Sequence, residues 1–210
     1  MFAIQNISAT YYFKYFCDAE SKSQLFNLLG TVALIIAIPF TKPLVARYGG
    51  RNLYIACSLL SGFFFCMLFF AGTDFVLVNV FNCLAKISYA PAISLLWTML
   101  ADAADYGDWK FNRRTTGLCL SAAVFAQKIG WSIGAAILGA IMSNVGFDPA
   151  TMTTSEIQAV PEIMSTIHIL FGIVPGVLYA SCAILLAFYN IDKPTLAIMK
   201  KDLEERRAAE

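Results

Sequence analysis

The chain has 210 residues, of which 59% are hydrophobic and 14% are charged, and its formal net charge at pH 7 is +1. Soluble domains carry about 25% charged residues, so this composition excludes an ordinary water-facing surface and gives no sign of nucleic-acid binding. The 17 Phe, nine Tyr and three Trp residues suit a helical bundle in lipid with aromatic side chains at its interfaces.

Six apolar segments approach the length of about 20 residues that a membrane-spanning helix needs. In chain order they cover residues 1–16, 24–46, 53–71, 75–101, 116–145 and 163–190. Long uninterrupted apolar runs favour helices over a membrane barrel, whose strands alternate over about ten residues. The sequence therefore predicts an all-α membrane protein, with a six-helix bundle over residues 1–190 and a charged tail over 191–210.

Basic residues predict the orientation, because the cytoplasmic loops of membrane proteins are rich in lysine and arginine. The loops after the second and fourth segments share one side of the membrane with the tail. Their basic residues are Lys42, Arg47, Arg51, Lys110, Arg113, Arg114, Lys193, Lys200, Lys201, Arg206 and Arg207. The opposite side holds Lys22 alone. We expect the C-terminus to lie in the cytoplasm, and the N-terminus with it. A first helix that begins at Met1 is then either shortened or lacks upstream sequence.

Lysines inside the apolar segments are candidates for function, since a charge at mid-bilayer costs several kcal/mol unless it faces a cavity or a partner. Lys128 lies about a dozen residues into the fifth segment and is the strongest candidate, as a hydrogen-bond donor to hydroxyls or to a carboxylate. An ion pair between helices is the alternative. Lys86 shares one helical face with Asn79 and Asn82, which predicts a polar stripe lining a cavity or a lysine near the outer interface. Lys14 is expected at the outer interface.

Acidic residues are missing from the interior of every apolar segment, since all 14 Asp and Glu residues fall in loops, at helix ends or in the tail. A cation-coupled transporter normally uses an anionic ligand for its ion. One histidine, His168, builds no metal site alone, and no nucleophile or metal cluster is visible. The sequence therefore predicts neither an enzyme nor a metal protein.

The loop between the fourth and fifth segments is the most specific stretch of the chain. Asp102 and Asp105 lie three residues apart where a helix ends, and Arg113 and Arg114 come just before the next helix. Such charges can pair in one conformation and separate in another, which makes a gate. The alternative is an ordinary cytoplasmic loop with surface pairs worth less than about 1 kcal/mol.

At these residues the chain resembles the glycoside–pentoside–hexuronide:cation symporter family. The residues that carry the resemblance are Ala101-Asp102, Asp105-Tyr106-Gly107, Trp109-Lys110, Arg114, Gly117-Leu118, Gln127-Lys128 and the patch Tyr11-Tyr12-Phe13 with Tyr15. The similarity runs the length of the chain and covers the second half of a twelve-helix carrier of the major facilitator type. It implies a multi-pass protein of the bacterial inner membrane that transports a sugar or glycoside with Na⁺ or H⁺.

The resemblance also implies roles for single residues. Lys128 would serve sugar binding, with Gln127 as a hydrogen-bonding partner and Trp97 as a stacking platform for the sugar ring. Val124 stands where the family has a threonine, which puts the sugar specificity in doubt. Asp102, Asp105 and Arg114 would form the cytoplasmic gate. The family's cation-binding aspartates lie in the first half, so the coupling ion would be bound mainly there and no other cofactor is implied.

Two hypotheses follow for function. In the first, the chain supplies the C-terminal half of a cation-coupled sugar symporter that works by alternating access. In the second, it is a truncated or split-gene membrane subunit that does not transport alone and serves as an interaction partner for an N-terminal half.

Overall fold

The structure is a computed structural model that describes residues 2–111, 116–149, 151–188 and 193–209. Its helices are α1 (Phe2–Tyr11), α2 (Glu20–Ala37), α3 (Thr41–Tyr48), α4 (Gly50–Phe70), α5 (Phe75–Phe111), α6 (Thr116–Asn144), α7 (Thr154–Gln158), α8 (Pro161–Phe171), α9 (Ile173–Ala187) and α10 (Lys193–Ala209). A π-helical turn at Tyr12–Phe16 continues α1, and a 3₁₀ turn at Ile38–Phe40 joins α2 to α3. No strand occurs within these described ranges, and the predicted all-α class is confirmed.

In the described part of the chain, five stretches are long and apolar enough to cross a membrane. They are Ser21–Tyr48, Gly50–Phe70, Phe75–Phe111, Thr116–Asn144 and Pro161–Leu186. The predicted count of six is therefore not exact. The first predicted segment is helical, but α1 and its π turn end at Phe16, short of the roughly 20 residues that a span needs.

Proline shapes several of these helices. Pro39 lies in the 3₁₀ turn between α2 and α3, and Pro161 begins α8, where its missing N–H leaves no intrahelical bond unmade. Pro91 lies inside α5, which continues to Phe111. The helix therefore runs beyond the predicted boundary at residue 101, because the charged residues that follow are still helical.

Helix α4 lies against both α5 and α9, and small residues allow the close approach to α9. A Cβ added at Gly62 would lie 2.7 Å from the carbonyl oxygen of Gly176, and one added at Gly172 would lie 2.7 Å from the backbone nitrogen of Phe69. Such spacing leaves no room for a side chain, and it lets the helix backbones touch as they do in membrane bundles.

An aromatic cluster at the C-terminal end of α1, in the π turn that continues it, packs this short segment against the bundle. The Tyr12 ring stacks on Phe171 at 4.1 Å between centroids, and its hydroxyl donates a hydrogen bond to the carbonyl oxygen of Gly72. His168 stacks on Phe69 at 4.4 Å and lies 5.1 Å from the ring of Phe16. The contacts join α1, α4 and α8, so α1 is held by packing despite its length.

The glycine contact predicts a packing defect on substitution. We expect Gly62→Leu to lower the free energy of unfolding by about 1–3 kcal/mol, as overpacked cores do, because the new side chain would meet the backbone of α9. Gly117→Leu is the control, since an added Cβ there meets nothing within 4 Å. Thermal unfolding in detergent measures both variants, and equal unfolding temperatures would contradict the prediction.

Candidate functional site

A pocket of about 370 Å³ lies between α5, α6 and α9. Its lining includes Tyr89, Trp97, Gln127, Gly130, Trp131 and Tyr179. The volume is near the lower end of the roughly 300–1,000 Å³ typical of small-molecule sites. The structure thus places two predicted site residues, Trp97 and Gln127, in one pocket. It adds Trp131 and Tyr89, which the sequence reasoning did not select.

Helical spacing explains how these residues meet. Gln127, Gly130 and Trp131 follow an i, i+3, i+4 pattern on α6, so they share one face. Tyr89 and Trp97 lie eight residues apart on α5, also on one face. The four-residue spacing between Gln127 and Trp131 was the feature of the sequence that could have identified Trp131 as a pocket residue.

Aromatic contacts hold the back of the pocket in place. Tyr179 stacks on Phe65 at 4.8 Å with an angle of 15° between the rings. Tyr89 meets Tyr179 edge-on at 4.7 Å and 79°. Trp97 and Trp131 are 43% and 47% exposed, so their indole rings remain accessible to a ligand while the two tyrosines behind them are fixed.

Lys128 lies next to Gln127 on α6 but outside the pocket lining. Lys128 and Val124 are both exposed and lie four residues apart on one face, which is turned about 100° from the face of Gln127. The backbone carbonyl of Lys128 accepts a hydrogen bond of 3.2 Å from the Ser132 hydroxyl. The predicted roles of Lys128 and Val124 in sugar binding stay predictions.

Lys86 occupies a different environment, because it is only 4% exposed. Its ammonium donates a hydrogen bond of 2.9 Å to Oε1 of the buried Gln5 and lies 5.8 Å from the centre of the Phe65 ring. An amide oxygen and an aromatic face both stabilise a desolvated cation. Lys86 therefore connects α5 with α1 and α4.

The two asparagines of the predicted stripe are also buried. Asn82 donates a hydrogen bond of 2.8 Å to the carbonyl oxygen of Phe26 on α2, and Asn79 donates one of 2.7 Å to the carbonyl oxygen of Phe75. Asn82 and Lys86 thus contact neighbouring helices, whereas the Asn79 bond stays within α5. That Lys86, Asn82 and Asn79 line a cavity stays a prediction.

The predicted gate lies at the end of α5. Asp102 is buried and Asp105 is half-buried, so both carboxylates lie on the side of α5 that faces other parts of the protein. Arg113 and Arg114 lie outside the described residues. The pairing of these groups therefore stays a prediction.

The tail helix α10 packs against the same end of α5. The indole N–H of Trp109 donates a hydrogen bond of 2.8 Å to Oδ2 of Asp202, and Arg206 reaches the Trp109 carbonyl oxygen at 3.5 Å. Met199 and Leu203 are buried, and with Asp202 and Arg206 they form one helical stripe. The charged tail is thus helical from Lys193 to Ala209 and has one face against the bundle.

Comparison with known proteins identifies the family. A sequence model described as MFS/sugar transport protein matches residues 1–193. The chain belongs to this family. It is therefore a multi-pass membrane protein related to sugar transporters rather than to enzymes. In the described part of this MFS chain, no group of three or more His, Cys, Asp or Glu residues could hold a metal ion.

Among the family's curated members, the chain is 31% identical over 96% of its length to YagG of Escherichia coli (strain K12), which carries the provisional name glycoside/cation symporter. It is 29% identical over 95% of its length to the isoprimeverose transporter of Lactiplantibacillus pentosus, and 24% identical over 86% to the glucuronide carrier protein homolog of E. coli. The chain covers 43%, 40% and 38% of those three proteins. No solved structure matches it.

The contact between Lys86 and Gln5 predicts coupled effects on the stability of this MFS chain. We expect Gln5→Leu to cost about 1–3 kcal/mol of unfolding free energy, because it removes an acceptor from a buried cation. Adding Lys86→Met should recover part of that loss, since the charge is removed as well. Thermal unfolding of both single variants and the double variant gives the coupling energy, and strictly additive losses would contradict the contact.

The bond between Trp109 and Asp202 predicts how firmly the tail is held. Trp109→Phe keeps an aromatic ring but removes the indole N–H donor, and a hydrogen bond to a charged group is worth about 1.5 kcal/mol or more. We expect trypsin to cut after the exposed Lys201 about tenfold faster, because cleavage follows the population of the open form. Glu204→Gln changes an exposed carboxylate on the same helix and should be cut at nearly the wild-type rate. Equal rates for Trp109→Phe and wild type would refute the contact.

Proposed function

We propose that this chain supplies the C-terminal half of a cation-coupled sugar symporter that works by alternating access. The observation that carries the proposal is the pocket in which Trp97, Trp131 and Gln127 come together, in a chain of a sugar-transport family. Indole rings stack on the C–H faces of sugar rings, and a side-chain amide both donates and accepts hydrogen bonds. The site would lie near the bilayer midplane, where major facilitators bind substrate between two halves.

Lys128 contributes to this site from the edge of the pocket. Its exposed ammonium offers three hydrogen-bond donors beside Gln127, and the length of the side chain allows it to reach a sugar at the pocket mouth. The exposed face of α6 that carries Lys128 and Val124 would then turn towards the cavity between the two halves. This arrangement differs from that of Lys86, whose ammonium is already bound within the bundle.

The coupling ion, Na⁺ or H⁺, would be bound mainly by the other half. All 14 acidic residues fall outside the interiors of the apolar segments, whereas hard cations prefer carboxylate and other oxygen ligands. A second six-helix half is therefore a required part of the proposed transporter, whether it belongs to the same chain or to a partner.

The cytoplasmic gate of the proposed transporter would form at the end of α5. Asp102 and Asp105 would pair with Arg113 or Arg114 in one state and separate in the other. The distribution of lysine and arginine supports a cytoplasmic position for this end and for the C-terminus. The membrane would be the bacterial inner membrane.

A second candidate function is that of a membrane subunit that binds an N-terminal half without transporting alone. Exposed apolar side chains on α6 favour this second function, and they include Leu118, Phe125 and Ile133. Lipid or a second half would cover such a face. The two candidates differ in whether the chain transports sugar when it is produced by itself.

Uptake of labelled glycosides into membrane vesicles tests the proposal. Three proteins are compared: the chain alone, the chain joined to the N-terminal half of YagG, and that N-terminal half alone. We expect sodium- or proton-dependent uptake by the joined protein. Uptake by the chain alone would contradict the need for a second half. No uptake of any glycoside by the joined protein would contradict the proposal as a whole.

Lys128 provides the test of the site itself. We expect Lys128→Ala in the joined protein to lower uptake roughly tenfold or more, because a charge-assisted hydrogen bond is worth about 1.5–3 kcal/mol. Lys201→Ala is the control, since Lys201 lies exposed on the tail and pairs with the exposed Glu205. Unchanged uptake and sugar binding in Lys128→Ala would show that the site assignment is wrong.

A further inference from the structure

We infer that Lys86 is a positioning residue for the proposed sugar site, because it holds two stacked aromatic rings, one of which forms the back wall of the pocket. Lys86 itself does not line the pocket. This role rests on the proposed function and deepens it by naming a residue that sets the affinity for sugar without touching the sugar. The indole rings of Trp97 and Trp131 remain the stacking surfaces for the substrate.

The two rings belong to Phe65 on α4 and Tyr179 on α9. Their centroids lie 4.8 Å apart with 15° between the ring planes, and both side chains are fully buried. Tyr179 lines the pocket, whereas Phe65 does not. The wall of the pocket at Tyr179 therefore rests on a ring that a substrate does not reach.

Helix α5 contacts both rings, each through a different side chain. The ammonium of Lys86 lies 5.8 Å from the centre of the Phe65 ring, within the roughly 6 Å over which a cation and an aromatic face attract each other. The ring of Tyr89 meets Tyr179 edge-on at 4.7 Å. Lys86 and Tyr89 are three residues apart and share one face of α5. The stacked pair is thus held against α5 at two points, and Lys86 provides the point farther from the pocket.

Gln5 keeps the ammonium at this place. Its Oε1 accepts a hydrogen bond of 2.9 Å from Lys86, and both side chains are buried. The apolar segments of α1, α4 and α5 contain no Asp or Glu, and they cover residues 1–16, 53–71 and 75–101. No carboxylate of these segments therefore competes with the ring of Phe65 for the charge. A cation attracts an aromatic face most strongly where both are desolvated.

Loss of the ammonium would leave the stacked rings held at one point instead of two. A wall that moves must be ordered each time a sugar binds, and this ordering lowers the affinity. The rings make no contact that a step of the transport cycle requires. An interaction that serves binding alone changes KM and leaves the maximal rate unchanged, so we expect Lys86 to act on KM.

The experiment measures initial uptake rates in vesicles for the chain joined to the N-terminal half of YagG. The probe is a labelled methyl glycoside of the sugar that the wild-type joined protein takes up fastest. Lys86→Met keeps a side chain of similar length without the charge, and it should raise KM about 3–10-fold through loss of a desolvated cation–aromatic contact. The maximal rate depends on the amount of folded transporter and KM does not. A loss of stability alone would therefore lower the maximal rate and leave KM at the wild-type value.

Asn82→Leu is the matched control on the same helix. Asn82 lies one turn before Lys86, is also buried, and donates a hydrogen bond to the carbonyl oxygen of Phe26 on α2. Helix α2 contributes no residue to the lining described for the pocket. The variant thus removes a buried polar contact between helices without reaching the wall. We expect a wild-type KM, even where the maximal rate falls.

A second background shows whether Lys86 acts through Phe65. Phe65→Leu removes the ring that links the ammonium to Tyr179, so this variant should raise KM by itself. Adding Lys86→Met should then change KM by less than about twofold, because no ring is left for the ammonium to hold. Two independent contributions would instead multiply.

A wild-type KM in Lys86→Met, an equal rise in Asn82→Leu, or multiplied effects in the double variant would overturn the positioning role while leaving sugar transport in place. No uptake by the wild-type joined protein would instead remove the proposed function, and the role of Lys86 with it. Should Lys86→Met fail to reach the membrane, Gln5→Leu takes its place, since it removes the acceptor that keeps the ammonium over Phe65. A smaller rise in KM is expected there, and a wild-type KM would overturn the role.

Discussion

The close approach of α4 and α9 is the contact on which the rest of the structure depends. Gly62 and Gly176 let the two backbones touch, and this fixes the height at which Tyr179 meets Phe65. Tyr179 in turn positions Tyr89 on α5, so the back of the pocket is set by helices that contribute little else to it. In a bilayer, apolar side chains gain little by leaving the lipid, because lipid tails are equally apolar. Close packing between small residues therefore stabilises the association of helices, as burial away from water does in soluble proteins.

Two lysines of similar sequence context show how tertiary contacts assign a role. Lys86 and Lys128 both interrupt apolar helices, and the pattern alone ranks Lys128 above Lys86 by its depth in the segment. The structure separates them by their partners instead. Lys86 is enclosed, with Gln5 as an acceptor, whereas Lys128 is exposed beside a pocket. Gln5 lies 81 residues from Lys86 in the chain, and no local pattern connects positions so far apart.

The sequence was sufficient for the all-α class, for most helices and for the family, because apolar run length and the motif around Asp102 are local properties. The family resemblance also selected Trp97 and Gln127, which the structure places in one pocket, and their roles in sugar binding stay predictions. The sequence was less informative where packing overrides pattern. The first segment is helical as expected, and the pattern gave no sign of the aromatic contacts that join it to Phe171 and His168. Charges dominate the composition of the tail, although Met199 and Leu203 occur at the spacing of a buried stripe. Trp131 was passed over because a tryptophan in an apolar helix resembles any lipid-facing aromatic residue.

Helix α5 links the two regions that matter most in this chain. It carries Trp97 in the pocket and, twelve residues later, Trp109 at the bond to Asp202. That distance is about 18 Å of helix, and the proline of α5, Pro91, precedes both tryptophans. A continuous helix of this length tilts as one body. A displacement of the tail is therefore transmitted along α5 to the wall of the pocket, and a ligand that shifts Trp97 also shifts the end of α5 against which α10 packs.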